Sequence, residues 1–440
     1  MSDTPPEMTA SDLRDEWRAL SADERREAFV RMPLGEAEDL YEGLDPAEQA
    51  ELLQDLPRAL RQVWFRSLAP DDAADVVQQL DEPEHREALL ELLEPPVRAE
   101  VSVLLEYEED EAGGLMSPRY ARLRPHLRVD EAIAYLRRQA RQDVETFYYA
   151  YVVDGQGLLL GVVSFRDLFT ARPDQRVREV MEEDLITVPE ELDQEALSHL
   201  FREHDLVAIP VVDEADRMVG IVTVDDIVDV FEEEATEDIQ KMGGSEALDA
   251  PYLQVPLLTI VRKRAIWLMV LFIGEMLTAT AMSRYEEEIA RAVVLALFIP
   301  LIISSGGNTG SQATTLIIRA MAIGEVRMRD WWRVFGREVF TGLMLGLLLG
   351  ALGFLRVVLW PNHATLYGPH YVLVGTTVFF SLVGVVLWGT LSGSMLPFAL
   401  RKLGLDPASA SAPFVATLVD VTGIVIYFNL GGLILKGALL

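Results

Sequence analysis

The sequence predicts a multidomain membrane protein with four parts: an all-α N-terminal helical repeat domain, a duplicated α+β unit, an acidic connecting helix and a five-helix α transmembrane domain. Charge is one observation behind this reading. Of 440 residues with a net charge of -32, residues 1–250 carry 61 acids against 24 Lys+Arg, and residues 251–440 carry 9 against 14. A second is a set of five long apolar segments after residue 260, and a third is an internal repeat with a 59-residue offset. The acidic head repels DNA, RNA and anionic lipid, so no nucleic-acid partner is expected, while hard cations are natural ligands. The absence of cysteine excludes disulfides, thiolate catalysis and Cys-ligated metals. The start MSDTPPE has no basic stretch followed by an apolar one, so no cleaved signal peptide is expected.

Residues 1–112 read as short amphipathic helices. LDPAEQAELLQDL (Leu44 to Leu56) and LAPDDAADVVQQL (Leu68 to Leu80) each open on a capping or proline signal and repeat leucine at helical spacing. Asp71, Asp72 and Asp75 fall in the first turns of one helix, where a carboxylate meets the positive end of the helix dipole.

Residues 113–230 hold the repeat. YVVDGQGLLLGVVSFRDLF (Tyr151 to Phe169) parallels PVVDEADRMVGIVTVDDIV (Pro210 to Val228), and each copy is preceded by an amphipathic helix, LRVDEAIAYLRR or ELDQEALSHLFR. Both copies carry a Gly-x-x-Ser/Thr-x-x-Asp element: Gly161, Ser164, Asp167 and Gly220, Thr223, Asp226. The pattern resembles a tandem CBS pair. In that family the hydroxyl and carboxylate can hold an adenine nucleotide, which implies ATP at Ser164, Arg166 and Asp167. The acidic surroundings count against phosphate there.

Residues 231–250 form a connection to the first membrane segment. Asp229 to Ile239 read as one acidic helix with a stop at Gly243-Gly244. Clustered carboxylates cost several like-charge repulsions at once, and divalent cations would draw them together.

Residues 251–440 contain the apolar segments Ala265–Met282, Ala292–Ile318, Val339–Trp360, Val372–Leu400 and Ala412–Leu435, each long enough to cross hydrocarbon. Arg262, Lys263 and Arg264, then Arg319, Arg327, Arg329, Arg333 and Arg337, then Arg401 and Lys402 fall on one side. The positive-inside rule therefore predicts a cytoplasmic N-terminus and an outside C-terminus. Gly342, Gly346 and Gly350 make a small-residue face that fits either dimerisation or packing within one protomer. Ser304 to Gln312 is a polar, glycine-rich stretch at membrane depth, expected to break the segment and to face protein or water. Asp420 lies well inside the last segment, where a central Asp costs roughly 2.5–3.5 kcal/mol and marks a functional site. Glu275, a second acid in the first segment, is expected to be structural or interfacial.

VTVDDIVDVFEEEATEDIQKMG (Val222 to Gly243), RKRAIWL (Arg262 to Leu268), SSGGNTGSQATTLIIRA (Ser304 to Ala320) and DPASASAPFVATLVDVTGIVIYF (Asp406 to Phe428) complete a pattern that resembles the MgtE family of magnesium transporters over the full chain. The resemblance implies a homodimeric, Mg2+-selective channel, multi-pass in the cell inner (plasma) membrane and surrounded by lipid. Its pore would run between the two copies of the last helix. Asp420 would bind the permeating ion, with Ala416, Thr417 and Asn308 in support. It further implies closure by cytosolic Mg2+ at Asp71, Asp75, Asp193, Glu195, Asp205, Asp226, Asp229, Glu234, Glu237 and Asp238, the last three on an acidic plug helix. Two alternatives are a transporter of Co2+, Mn2+ or Zn2+ and a membrane-bound CBS sensor without a pore. No nucleophile–base set or catalytic metal motif points to an enzyme.

Overall fold

The computed structural model describes residues 13–14, 17, 20–139, 148–248, 252–253 and 255–436. The opening MSDTPPE, residues 249–250 of the connection and the last four residues lie outside them. The chain divides into two compact units, Met1–Glu232 and Glu233–Leu440.

From residue 22 the first unit runs through seven short helices: α1 (Ala22–Arg31), α2 (Leu34–Glu42), α3 (Pro46–Asp55), α4 (Arg58–Ser67), α5 (Pro70–Gln78), α6 (Pro83–Leu90) and α7 (Pro95–Leu104). Their starts are written locally. Ser21 with Glu24 and Asp45 with Glu48 form capping boxes, and proline occupies the first turn of α3, α5, α6 and α7. Leu44, Leu56, Leu68, Leu80 and Leu92 recur every twelve residues at the turns between helices, and all five are buried. Each turn thus inserts a leucine into the core, beside an aromatic cluster in which Phe29 and Trp64 lie 4.9 Å apart and Tyr41 and Trp64 5.3 Å.

After the short α8 (Ala112–Leu115) the repeat follows. Its first copy is β1 (Arg122–Leu123), α9 (Val129–Gln139), β2 (Tyr149–Val153), β3 (Leu159–Ser164) and α10 (Phe165–Thr170). The second is β4 (Val188–Pro189), α11 (Gln194–His204), β5 (Ala208–Val212), β6 (Met218–Thr223) and the opening of α12 (Val224–Met242). Each copy forms a three-stranded sheet with one parallel and one antiparallel pair. The 59-residue offset holds residue for residue within the hairpins β2–β3 and β5–β6, but not for the strand and helix before them. Val152 pairs with Gly161 and Val211 with Gly220, and the register shifts at the next residue in both copies. Tyr151, Val153, Met218 and Ile221 bury the seam between the copies.

Helix α12 runs unbroken through the expected boundary at 230/231, because no proline or glycine interrupts Val224–Met242. The division between units falls two residues later, inside it. Gly244, at φ +75, ends the helix while Gly243 and Ser245 donate to Ile239 and Gln240 carbonyls.

In the second unit α13 (Leu257–Ser283) is followed by the short α14 (Glu286–Arg291) and α15 (Val293–Ala296). Then come α16 (Ile299–Ala322), α17 (Trp331–Leu359), the short α18 (His363–Tyr367), α19 (Tyr371–Lys402) and α20 (Ala412–Leu435). Among the described residues five helices are long and apolar enough to cross a membrane. The third starts at Trp331 rather than Val339, since helical geometry continues past the apolar stretch. The expected break in α16 is absent. Ser304 to Gln312 are fully helical, and their glycines serve close packing instead of unwinding. Cβ atoms on Gly389 and Gly393 would collide with the carbonyls of Gly306 and Gly310, and Thr314 donates to the Gly393 carbonyl at 2.7 Å. Gly342, Gly346 and Gly350 face Leu387 and Thr390, Val383, and Phe379 of α19, so this small-residue face packs within the protomer and is not free for a dimer contact.

Candidate functional site

Helix α20 starts from a built cap. Ser411 accepts from the Phe414 N–H, Pro413 sits in the first turn, and Trp267 Nε1 donates to Ser411 Oγ at 3.2 Å. The helices α13 and α20 then run parallel, shown by Trp267 against Phe414, Gly274 against Thr417 and Tyr285 stacked on Phe428 at 4.9 Å. This register carries Glu275 to Asp420, and the two carboxyl groups come within hydrogen-bonding reach. Glu275 is exposed and Asp420 half-buried. Two acids meeting within hydrocarbon need a proton or a cation between them. Spacing could not reveal this pairing, because 145 residues separate the partners.

Ala416 and Thr417 lie one turn before Asp420 and are half-buried. Thr417 Oγ1 donates to the Pro413 carbonyl at 3.0 Å, and Ala416 Cβ would stand 3.5 Å from a Cβ on Gly307 of α16. Asn308, next to Gly307, donates to Ser304 Oγ at 3.4 Å. Ser304, Asn308, Gln312 and Thr315 make an exposed polar stripe along α16 at membrane depth.

The regulatory candidates fall in both units. In the first, Asp71 is buried and accepts from Ser117 Oγ at 3.4 Å. Asp193 caps α11, accepting from Glu195 and Ala196 N–H groups, and Asp205 terminates that helix at φ +52. Glu195 stands 3.8 Å from His199. Asp226 accepts from Thr223 Oγ1 at 2.7 Å. Asp75 continues α5, whose third residue, Asp72, shares a field with Glu42, Asp225 and Asp229. Burial, then these three acids, push the Asp72 carboxyl up, against one lowering backbone hydrogen bond. Its side chain still reaches solvent. Asp229 is pushed up likewise, by burial and then by Glu232, Asp45 and Asp225. Sequence reasoning named Asp229 and left Asp72, Asp225, Glu42 and Asp45 out of the set; the signal they carry is acids at helix ends on separate elements, aspartates at three starts and Glu42 at the end of α2.

In the second unit Glu237 pairs with Lys241, which also bridges to Asp406 at 2.8 Å. Glu234 and Asp238 lie on the same stretch of α12. Among the described residues no three His, Asp or Glu side chains converge on a position that could hold a metal ion.

In the first CBS repeat Ser164 caps α10, accepting from the Asp167 N–H at 3.0 Å, while its hydroxyl donates to the Asp167 carboxylate. Arg166 is exposed beside them.

Residues 8–110 match the MgtE intracellular N domain, residues 112–174 and 177–233 the CBS domain, and residues 299–430 the divalent cation transporter family MgtE. The magnesium transporter MgtE of Thermus thermophilus is 42% identical over 98% of this chain and 94% of its own length. That of Enterococcus faecalis is 31% identical over 93% and 96%. A crystal structure of the cytosolic domain of the Mg2+ channel MgtE in complex with ATP is 43% identical, covering 51% of this chain and 91% of that one at a TM-score of 0.48. The order of an N domain, a CBS pair and five apolar helices, matched along nearly its whole length, makes this chain a member of the MgtE family of divalent cation transporters.

Proposed function

We propose that the chain is a homodimeric, Mg2+-selective, channel-type transporter that carries Mg2+ into the cell and closes when cytosolic Mg2+ is high. The carrying observation is the half-buried Asp420, held at membrane depth beside Glu275 and one helix away from the exposed polar stripe of Ser304, Asn308, Gln312 and Thr315. Such a stripe cannot face lipid tails without loss, so it lines water or a second copy. Mg2+ takes oxygen ligands and gives up its waters reluctantly. A carboxylate from each of two copies, with carbonyls near Ala416 and Thr417 receiving the hydrogens of its waters, suits a largely hydrated ion.

Gating rests on the acidic half. Asp72 and Asp229 are already disfavoured as anions by burial and mutual repulsion. Mg2+ that bridges carboxylates of the N domain, the second CBS repeat and the plug at Glu234, Glu237 and Asp238 relieves that repulsion. It therefore binds one arrangement better than others, as a population shift requires. The cytoplasm holds the N-terminal half, in keeping with the arginines between spans, and the C-terminus lies outside. ATP would be held by Ser164, Arg166 and Asp167, whose polar groups reach solvent together.

Mg2+ flux into proteoliposomes, with low and high Mg2+ on the cytosolic side, tests both halves. Asp420→Ala is expected to reduce flux to the protein-free background, and high cytosolic Mg2+ to suppress wild-type flux. Undiminished flux in the variant defeats the pore assignment, and Mg2+-insensitive wild-type flux defeats the gating one.

A further inference from the structure

Within a head that carries a large negative charge, the first CBS repeat has one cluster of opposite sign. A cavity of about 450 Å3 is lined by Arg122, Arg124, Tyr135, Arg138 and Gln139, with Leu123 and Val153 behind them. The three guanidiniums are exposed. Among the described residues none of them forms an ion pair with a carboxylate. Arg124 donates to the carbonyls of Val153 and Asp154, which fixes its fork at the rim. Arg122 lies 5.6 Å from the Tyr120 ring and Arg138 5.7 Å from that of Tyr135, so both are held by aromatic faces. The Asp154 carboxylate is turned to the Gln156 and Leu158 N–H groups of its own turn, at 2.7 and 2.9 Å. Gln139 Oε1 is buried without a hydrogen-bond partner among the described residues, and a half-turn of the amide would present its NH2 donors there.

The sheet register separates this cavity from the Ser164–Asp167 element. Ser164 pairs with Tyr149, the first residue of β2, whereas the cavity abuts Val153, its last. Four residues of strand, about 13 Å, lie between them. Three restrained guanidiniums, none ion-paired with a carboxylate among the described residues, around a cavity of small-molecule size match the charge density and fork geometry of linked phosphates.

We propose that this cavity is a second anion site, independent of Ser164 and Asp167, that takes a ligand bearing a chain of phosphates. The free polyphosphate end of a nucleotide and a condensed inorganic phosphate share that chemistry.

Calorimetric titration of the full-length protein in detergent, without Mg2+, tests it with tripolyphosphate as the probe. Saturable binding is expected in wild type and in Asp167→Ala. In the double variant Arg122→Gln/Arg138→Gln it should weaken about tenfold or more, the loss of roughly one to two charge-assisted hydrogen bonds. An unchanged melting curve would show that the exposed substitutions leave the fold intact. ATP that displaces tripolyphosphate from Asp167→Ala identifies a nucleotide as a competent source; no displacement leaves condensed phosphate as the ligand, and either result supports the site. Absence of saturable binding in wild type, equal binding in the double variant, or loss of binding in Asp167→Ala alone would overturn it.

Discussion

Lys241, in the last turn of α12, reaches Glu237 one turn earlier and Asp406 in the connection between the fourth and fifth spans, the latter at 2.8 Å. Burial pulls its ammonium pKa down, but the hydrogen bonds and charges of Asp406 and Glu237 outweigh this and hold it above the ordinary lysine value. Met242, the next residue, packs with Ile318, Ala408 and Ala410. The acidic helix is thus fastened at its C-terminal end to the membrane domain by one cation and one thioether.

Asp406→Asn and Lys241→Met should each lower the thermal stability of the full chain, and a double-mutant cycle should return a coupling of about 1 kcal/mol, the size of a partly exposed pair. A raised lysine pKa contributes stability that is present below the unfolded-state value and lost only as pH rises through the folded one. The coupling should therefore be constant from pH 6 to 9 in melting experiments, and a coupling that vanishes near neutrality would contradict the assignment.

Asp72 and Asp229 respond to pH in the opposite sense. Their folded-state pKa values are raised, so the folded unit binds protons more readily than the unfolded chain, and stability falls as pH rises from the ordinary aspartate range through the raised values. Without Mg2+, Asp72→Asn should raise the melting temperature at pH 7 and have little effect near pH 4. Added Mg2+ should stabilise wild type more than the variant at pH 7. Equal responses of the two proteins would show that this acid plays no part in cation sensing.

Glu275 and Asp420 can be separated by flux. Asp420→Asn is expected to abolish transport. Glu275→Gln, which removes one of the two adjacent charges, should lower flux about tenfold at limiting Mg2+ and recover at saturating Mg2+, the signature of a weakened ion affinity worth about 1.4 kcal/mol. Wild-type flux at all concentrations in Glu275→Gln would assign this acid to packing alone.

The contact between α16 and α19 predicts sharply graded glycine effects. Gly393→Val forces a side chain onto the Gly310 carbonyl and should destabilise the chain by about 1–3 kcal/mol or more. Gly336→Ala, where a Cβ meets nothing within 4 Å, should be neutral or slightly stabilising through helix propensity. Fluorescence size-exclusion profiles after a temperature ramp compare the two directly.

Periodicity, capping and charge are local properties, and they alone determined the short helices of residues 1–112 and the five spans, because each is written within a window of a few turns; the duplication was legible because two such windows repeat 59 residues apart. They also marked Asp420, since an acid inside an apolar run is costly wherever the chain folds. Which partners the polar and small residues meet was decided by tertiary structure. Gly342, Gly346 and Gly350 could have faced a second copy until α19 was seen to fill their groove, and the glycines of α16 looked like a break until Gly389 and Gly393 proved to need their backbone. The meeting of Glu275 with Asp420, and of Asp72 with Asp225 and Asp229, depends on helix register and direction, which bring together residues far apart in the chain.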